Sequence, residues 1–197
     1  MANQPLLILG AGGHASVLAD ILLRCGRKLS GVVSPDMDNC RQVFDGIKHY
    51  GNDEDVLLFT KDNIRLVNGV GSLPNNNLRI QLYQQFKMKG YQFETVIAPS
   101  AIVSEYAELG YGVQVMEGAI INAGVKIGNN TIINTGTIVE HDCNIGEHNH
   151  IAPGVVLSGQ VITSDHVHIG TGAKIMQYIS IGEHAVIGMG AAVYKNV

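Results

Sequence analysis

From Ile97 onward an apolar position recurs every six residues. Stepping by six from Ile97 through Val103, Leu109 and Val115 to Val193 gives seventeen positions, of which sixteen are branched aliphatic and one, Thr163, is not. No insertion breaks the register. Four places after these residues a small or β-branched one recurs, as at Ala101, Ala119, Thr137, Cys143 and Val155. Two inward positions in six fit neither the 3.6-residue period of a helix nor the two-residue alternation of a sandwich strand. They predict a parallel β-helix of hexapeptides, each a short strand and a bend. Three sides close one triangular coil of ~18 residues, left-handed in the form this repeat is known for. Residues eighteen apart then stack at the ~4.8 Å strand spacing. This puts His148, His166 and His184 in one column and His150 under His168. Glycine follows the aliphatic residue at Gly110, Gly128, Gly146, Gly170, Gly182 and Gly188, and these glycines are expected to supply the positive φ of the turns.

Residues 5–96 carry a different pattern. The run LLILG (6–10) reads as a buried strand, followed by GAGGHA and a helix whose Leu18, Ile21, Leu22 and Cys25 recur at helical spacing before Gly26. LSGVVS (29–34), IRLVNGVG (64–71) and FETVI (93–97) read as further strands, and 76–90 as a helix with Leu78, Leu82 and Phe86 on one face. This βαβ order predicts a small Rossmann-like parallel α/β domain over 1–96 ahead of the β-helix over 97–197. Gly10, Gly12 and Ala15 match G-x-G-x-x-G/A between strand and helix, and Asp36 follows the second strand. Taken alone, that fingerprint proposes a dinucleotide. About 90 residues, however, hold only half of a full dinucleotide fold. Amides at a helix N-terminus still attract phosphate, so a nucleotide-sugar fits the module better than NAD, with a purely structural turn as the bland reading. His14 is placed either to donate to a phosphate or to cap the helix.

Composition narrows the partners. The net charge is −4, with nine acids and ten bases in residues 1–96 and eight acids and three bases in 97–197, so neither half offers a basic patch for nucleic acid. No ~20-residue apolar run argues for membrane insertion, and a cytoplasmic location is expected. Cys25, Cys40 and Cys143 share no CxxC spacing and read as buried thiols.

Six of the eight histidines fall between 141 and 184, three of them in GTIVEHDCNIGEHNHIAPG. They can be metal ligands, acid/base groups or turn residues. Zinc asks for imidazoles converging at ~2.0–2.1 Å, and a column of stacked residues makes a row instead. His141 followed by Asp142 offers a base and a carboxylate to fix its tautomer.

A short α/β domain bearing GAGGHA, joined to a β-helix bearing VEHDCNIGEHNHIAPG, resembles the bacterial sugar acyltransferases of the sialic acid O-acetyltransferase type. Within them the chain looks most like the N-acetyltransferases acting on UDP-4-amino-4,6-dideoxy-N-acetylglucosamine in bacillosamine biosynthesis. The resemblance spans essentially the whole chain. It implies a homotrimer, with acetyl-CoA as cosubstrate between neighbouring β-helices, a UDP-amino-sugar on the N-terminal domain and no metal. By that resemblance His141 is the general base, Asp142 raises its basicity and His150 contacts the acetyl group. Gly159, Thr171 and Met189 lie along the CoA path. Gly12, Gly13, His14, Pro35, Asp36, Gly71 and Asn77 fall where the family contacts the UDP-sugar. Asp142 stands where Glu is commoner, and GSLPNNNLR (71–79) is a few residues longer than usual. The chain stops at YKNV where relatives continue for roughly another coil, so a truncated chain is expected. The competing readings are sugar O-acetylation, a zinc enzyme of the gamma carbonic anhydrase type, and a nucleotide-sugar binder without catalysis.

Overall fold

The computed structural model describes residues 4–36 and 41–197. Cys40 lies outside them. The chain divides into two compact units, 1–96 and 97–197.

In the first unit, β1 (Leu6–Leu9), β2 (Leu29–Val33), β3 (His49–Tyr50) and β4 (Arg65–Asn68) form a parallel sheet in the order β3-β2-β1-β4. β1 is central, and its four residues LLIL are fully buried, as a parallel strand covered on both faces requires. Helix α1 (Gly13–Arg24) buries Ala15, Leu18, Ala19, Ile21 and Leu22. Helix α2 (Leu78–Met88) packs Leu82, Tyr83 and Phe86 into a second cluster with Leu7, Leu9, Leu66 and Phe93.

Several expectations for this unit are corrected. FETVI is not a fourth strand of the sheet: it makes one bridge, Leu66 to Phe93, and its last two residues open the β-helix as a separate strand. The edge strand β3, in the polar sequence around His49, has only two residues and no alternation to betray it. Leu78 is exposed, because as the first residue of α2 it precedes the buried turn, and Arg79 is buried instead. Cys25 caps the C-terminus of α1 and is exposed, whereas Cys143 is buried. Burial pushes the Cys143 thiol up to about 11, which keeps it a protonated, unreactive core group.

The second unit is a parallel β-helix of two-residue strands in three sheets. The first face holds Val96–Ile97, Gln114–Val115, Ile132–Ile133, His150–Ile151, His168–Ile169 and Val186–Ile187. The second runs from Ile102–Val103 to Ala192–Val193, and the third from Glu108–Leu109 to Ser180–Ile181. Pairing is eighteen apart throughout, as in His150 with His168 and Lys126 with Asn144. The two inward series form one core, each buried Val or Ile contributing about 1.5–3 kcal/mol.

The turn glycines are not where the reading put them. Gly110, Gly128, Gly146, Gly170, Gly182 and Gly188 do not adopt positive φ. At the first four the next coil passes too close for a side chain: a Cβ on Gly128 would stand 2.6 Å from the Glu147 nitrogen. Positive φ falls two residues later. The first corner, after the first face, uses Gly118, Gly136, Gly154, Gly172 and Gly190. The second uses Gly124, Asp142, Gln160 and Tyr178, and the third Gly112, Asn130, His148, His166 and His184. That conformation lets the corner N–H donate to the preceding coil, as Asp142 does to Ala123 O at 3.1 Å and Gln160 to His141 O at 2.9 Å.

Thr163, the one break in the aliphatic series, has a partner. Asn149 is a polar residue in the inward series, 1% exposed. Its side-chain NH₂ donates to Thr163 Oγ1 at 2.6 Å and Ser164 O at 3.0 Å, and its oxygen accepts the Val167 N–H at 2.7 Å. The pattern by itself expects an aliphatic residue at 163 to stabilise. The network expects the opposite: Thr163→Val strands a buried amide proton and should cost about 1–3 kcal/mol, read as a lower urea midpoint at unchanged slope.

Candidate active site

Sheet order 3-2-1-4 reverses direction between β1 and β4, so the ends of these strands flank a crevice in which α/β sheets bind ligands. On one side, Gly10 takes φ +95° and Gly12 is the N-cap of α1, with no side-chain cap and no acid in the first turn. Neither a capping side chain nor a carboxylate competes with an anion at this helix N-terminus. On the other side are Gly69, Val70 and Gly71. A Cβ on Gly69 would lie 2.7 Å from both the Ala15 Cβ and Leu9 O, and one on Gly71 would lie 3.6 Å from the His14 Cβ. The glycines thus bring the two loops together.

Pro35 and Asp36 follow β2, next to β1, and both are exposed. Ser34 ties that turn down by donating to Asp36 O at 2.9 Å. Asn77 is the N-cap of α2, without a side-chain cap bond, while Asn76 accepts the Leu78 N–H at 3.0 Å.

Two residues here escaped the sequence reading. Arg41 lies with a guanidinium nitrogen 3.4 Å from where a Gly13 Cβ would be, placing a cation at the mouth of α1. Arg79, 3% exposed, donates to Asn68 O at 2.9 Å and Val70 O at 2.7 Å, while Asn68 donates back to Arg79 O at 2.9 Å. This reciprocal lock shapes the chain from Asn68 to Val70. Burial pulls the pKa of Arg79 down to about 9, still well above neutrality. Helical periodicity could not expose it, because an arginine reads as a solvent-facing position.

In the β-helix, His141 Nδ1 lies 2.9 Å from Asp142 Oδ2. A carboxylate can only accept, so the imidazole donates its Nδ1–H, and in the neutral ring the lone pair then falls on Nε2. The aspartate makes the contact from a left-handed backbone with φ +60°, which Asp tolerates better than most residues. Small neighbours clear the space above and below. A Cβ on Gly124 would collide with Asp142 Oδ1, and one on Gly159 would stand 2.6 Å from His141 Nε2. Both side chains are more than half exposed, so the contact adds little to stability.

His150, on the first face, is half-buried. Its Nε2 lies 3.0 Å from Asn134 Nδ2, and His168 stands edge-on at 4.9 Å. Burial lowers the pKa of His168. Thr171 and Met189 are eighteen apart and exposed on the first corner, whereas His141 and Gly159 belong to the second. The third corner carries the histidine column: His148 over His166 at 5.2 Å and His166 over His184 at 4.7 Å, both nearly parallel. Among the described residues, His166, Glu183 and His184 bring ligand atoms within 4.8 Å of one another. Parallel rings hold their lone pairs side by side, whereas a zinc ion needs them to converge.

Two family models match the chain: the PglD N-terminal domain over residues 5–86 and the bacterial transferase hexapeptide (six repeats) over residues 124–159. No curated protein sequence matches. Among solved structures, PerB from Caulobacter crescentus, in complex with CoA and GDP-perosamine, is 33% identical with a TM-score of 0.88, covering 100% of this chain and 91% of that one. The acetyltransferase domain of PglB from Neisseria gonorrhoeae FA1090, in complex with acetyl coenzyme A, is 29% identical with a TM-score of 0.87, covering 100% and 93%. WeeI from Acinetobacter baumannii AYE, 24% identical with a TM-score of 0.85 over 98% and 92%, shares the fold. With 33% identity along its whole length and both characteristic modules in place, the chain belongs to the bacterial sugar acyltransferases that join a PglD-type α/β domain to a hexapeptide β-helix.

Proposed function

We propose that the protein transfers the acetyl group of acetyl-CoA to the amino group of a nucleotide-linked amino-sugar, with His141 as general base. The observation that carries this reading is the His141 imidazole, held through Nδ1 by Asp142 with its Nε2 over the bare backbone of Gly159. The relatives support it: PerB was crystallised with CoA and an amino-sugar nucleotide, also in variants with one histidine replaced by asparagine or alanine, and the PglB domain with acetyl coenzyme A.

The chemistry needs no covalent intermediate. Once amine and thioester are held together, much of the barrier is removed by proximity. The amine lone pair attacks the carbonyl carbon, the new C–N bond forms, and His141 Nε2 takes the proton the nitrogen sheds. Collapse of the tetrahedral adduct breaks the C–S bond, and the thiolate leaves with that proton as free CoA. An imidazole suits such two-way transfer near neutral pH. The amide near Gly159 would face the developing oxyanion.

The acceptor we favour is a UDP-4-amino-4,6-dideoxy-N-acetylhexosamine for bacterial surface glycans, acting in the cytoplasm. The 1–96 unit would hold it: the diphosphate at Gly12, Gly13 and His14 beside Arg41, the nucleoside near Pro35 and Asp36, and the sugar toward Gly71 and Asn77. Thr171, Met189, Gly159 and His150 would follow the CoA chain. Within one chain the first two stand on a different corner from Gly159, with the second face of the coil between them. A cofactor touching both sets is best accommodated between two copies, which supports the homotrimer.

Three outcomes test this reading. His141→Ala should lower kcat by about 10²–10⁴ at an unchanged unfolding midpoint; near-wild-type turnover removes it as the base. Gly159→Ala should displace the ring and cut kcat/KM by at least about tenfold, since a misplaced catalytic group by ~1 Å costs up to about 10²; full activity would mean the ring is not held there. Calorimetric titration should rank UDP above GDP and NAD. GDP first would move the acceptor to the class PerB binds, and NAD first would overturn the nucleotide-sugar site.

A further inference from the structure

Ser34 sits where the sheet of the first unit runs out, and its main chain is held there by a side chain. Two ladder bonds join β2 to β3: Val32 N–H donates to Lys48 O and Ser34 N–H to Tyr50 O, both at 2.9 Å. In a parallel ladder the next bond would bring the Asn52 N–H to the Ser34 carbonyl. Asn52 does not make it, because it starts the 3₁₀ turn Asp53–Leu58 and gives its N–H to Asp55 Oδ2 at 3.0 Å. Ser34 is 8% exposed, so its carbonyl still calls for a donor. His49 supplies one, with Nε2 2.7 Å from Ser34 O.

A carbonyl oxygen only accepts, so His49 donates from Nε2, and its neutral ring is the Nε2–H tautomer, the reverse of His141. The imidazolium would donate from the same atom, so the contact holds whichever charge the ring carries. The strand that carries it is firm despite its two residues. A Cβ on Gly31 of β2 would stand 2.5 Å from the Tyr50 ring and 2.9 Å from Lys48 O, and Tyr50 packs edge-on against Phe59 with centroids 5.4 Å apart. On its other side Ser34 Oγ donates to Asp36 O at 2.9 Å, and Pro35 between them limits rotation. His49, Ser34 and Asp36 are thus linked by hydrogen bonds, while Pro35 and Asp36 stay exposed. Had β3 continued through Asn52, its backbone would have run beside that turn. The imidazole holds the same carbonyl after the strand has turned away.

We infer that His49 is a positioning residue for the nucleoside end of the acceptor: by holding Ser34 it sets the Pro35–Asp36 turn against which base and ribose bind. The nucleoside's place rests on the nucleotide-sugar reading above; the contact between His49 and Ser34 does not. A carboxylate after the second strand of such a fold is suited to accept from ribose hydroxyls, and what it reaches depends on where the turn puts it. A binding group has to be held to within about 0.5 Å by neighbours locked in hydrogen bonds of their own. His49 meets that need from outside the turn, without itself touching the nucleoside. The diphosphate is assigned to the first turn of α1 and the CoA chain to the β-helix, so His49 acts on one part of recognition and leaves the others alone.

The tautomer is read from the imidazole ¹⁵N spectrum of the full chain at alkaline pH, with His49 assigned by comparison with His49→Gln. The hold on Ser34 requires a pyrrole-type Nε2 and a pyridine-type Nδ1; the opposite pattern overturns it whatever the binding. Calorimetry with UDP and GDP tests the consequence. His49→Leu, which keeps bulk but not the donor, should raise the Kd of whichever nucleotide the wild type binds more tightly by about tenfold, the worth of one net hydrogen bond. The KM for the nucleotide-linked amino-sugar should rise in step, with kcat and the KM for acetyl-CoA unchanged. His49→Gln, whose amide NH₂ can donate to the same carbonyl, should recover most of the loss. Unchanged nucleotide affinity in His49→Leu, or an equal loss in both variants, would overturn the positioning role. Wild-type protein with the required spectrum that binds neither nucleotide and acetylates no nucleotide-linked amino-sugar would refute the proposed activity and, with it, the nucleoside's place, while the hold on Ser34 stands.

Discussion

From residue 112 to residue 190 each corner of the β-helix turns through one residue with a left-handed backbone, a conformation that points an N–H at the carbonyl one coil below. Ordinary residues enter it at about 1–2 kcal/mol each, and the three corners meet the cost differently. The first is glycine at each level from 118 to 190, the third turns to asparagine and histidine, and the second carries Asp142. At Asp142 the backbone requirement and the chemistry coincide. The peptide between His141 and Asp142 is fixed from the coils on either side: Asp142 N–H bonds to Ala123 O, and His141 O accepts from Gln160. The acid that orients the imidazole is thereby held by the hydrogen bonds that hold the coils together.

The same stacking supplies room. An imidazole on a corner needs the level above it to lack a side chain, and its aspartate needs the level below to lack one. Gly159 and Gly124 meet these needs. They are read wrongly if treated only as flexible residues: Gly124 is left-handed, but Gly159 has no positive φ and is required by the ring that covers it. In the first unit, Gly69 likewise allows β4, β1 and α1 to approach closely enough to form the crevice. The glycine-rich composition therefore serves two distinct constraints, bend and clearance.

The β-helix was legible because one six-residue period carried it without insertion, and its stacking rule correctly ordered His148, His166 and His184. The period could not say which glycine bends, since a residue after each strand and one two places later both recur at six. It also made Thr163 look like a defect, when its partner Asn149 belongs to the other inward series and the two meet only across the core. The contact between His141 and Asp142 could be suspected from adjacency, but Asn134 could not be linked to His150, because sixteen residues separate them and only eighteen form a column. In the first unit the long apolar strands were readable and β3 was not, two residues being too few to show alternation. The FETVI run was misread because its apolar residues serve two different structures, Phe93 the α/β core and Val96–Ile97 the first strand of the coil.

What unites these features is a surface imidazole whose Nδ1 is engaged by a carboxylate in a forced turn and whose ring is given room by two missing side chains. The most direct measurement is mass spectrometry of UDP-4-amino-4,6-dideoxy-N-acetylglucosamine after incubation with the protein and acetyl-CoA, followed in parallel by free-thiol release. The account predicts one acetyl group added at the 4-amino nitrogen, in step with the thiol and without added metal. Thiol release with no acetylated sugar, or acetylation on a hydroxyl, would contradict it.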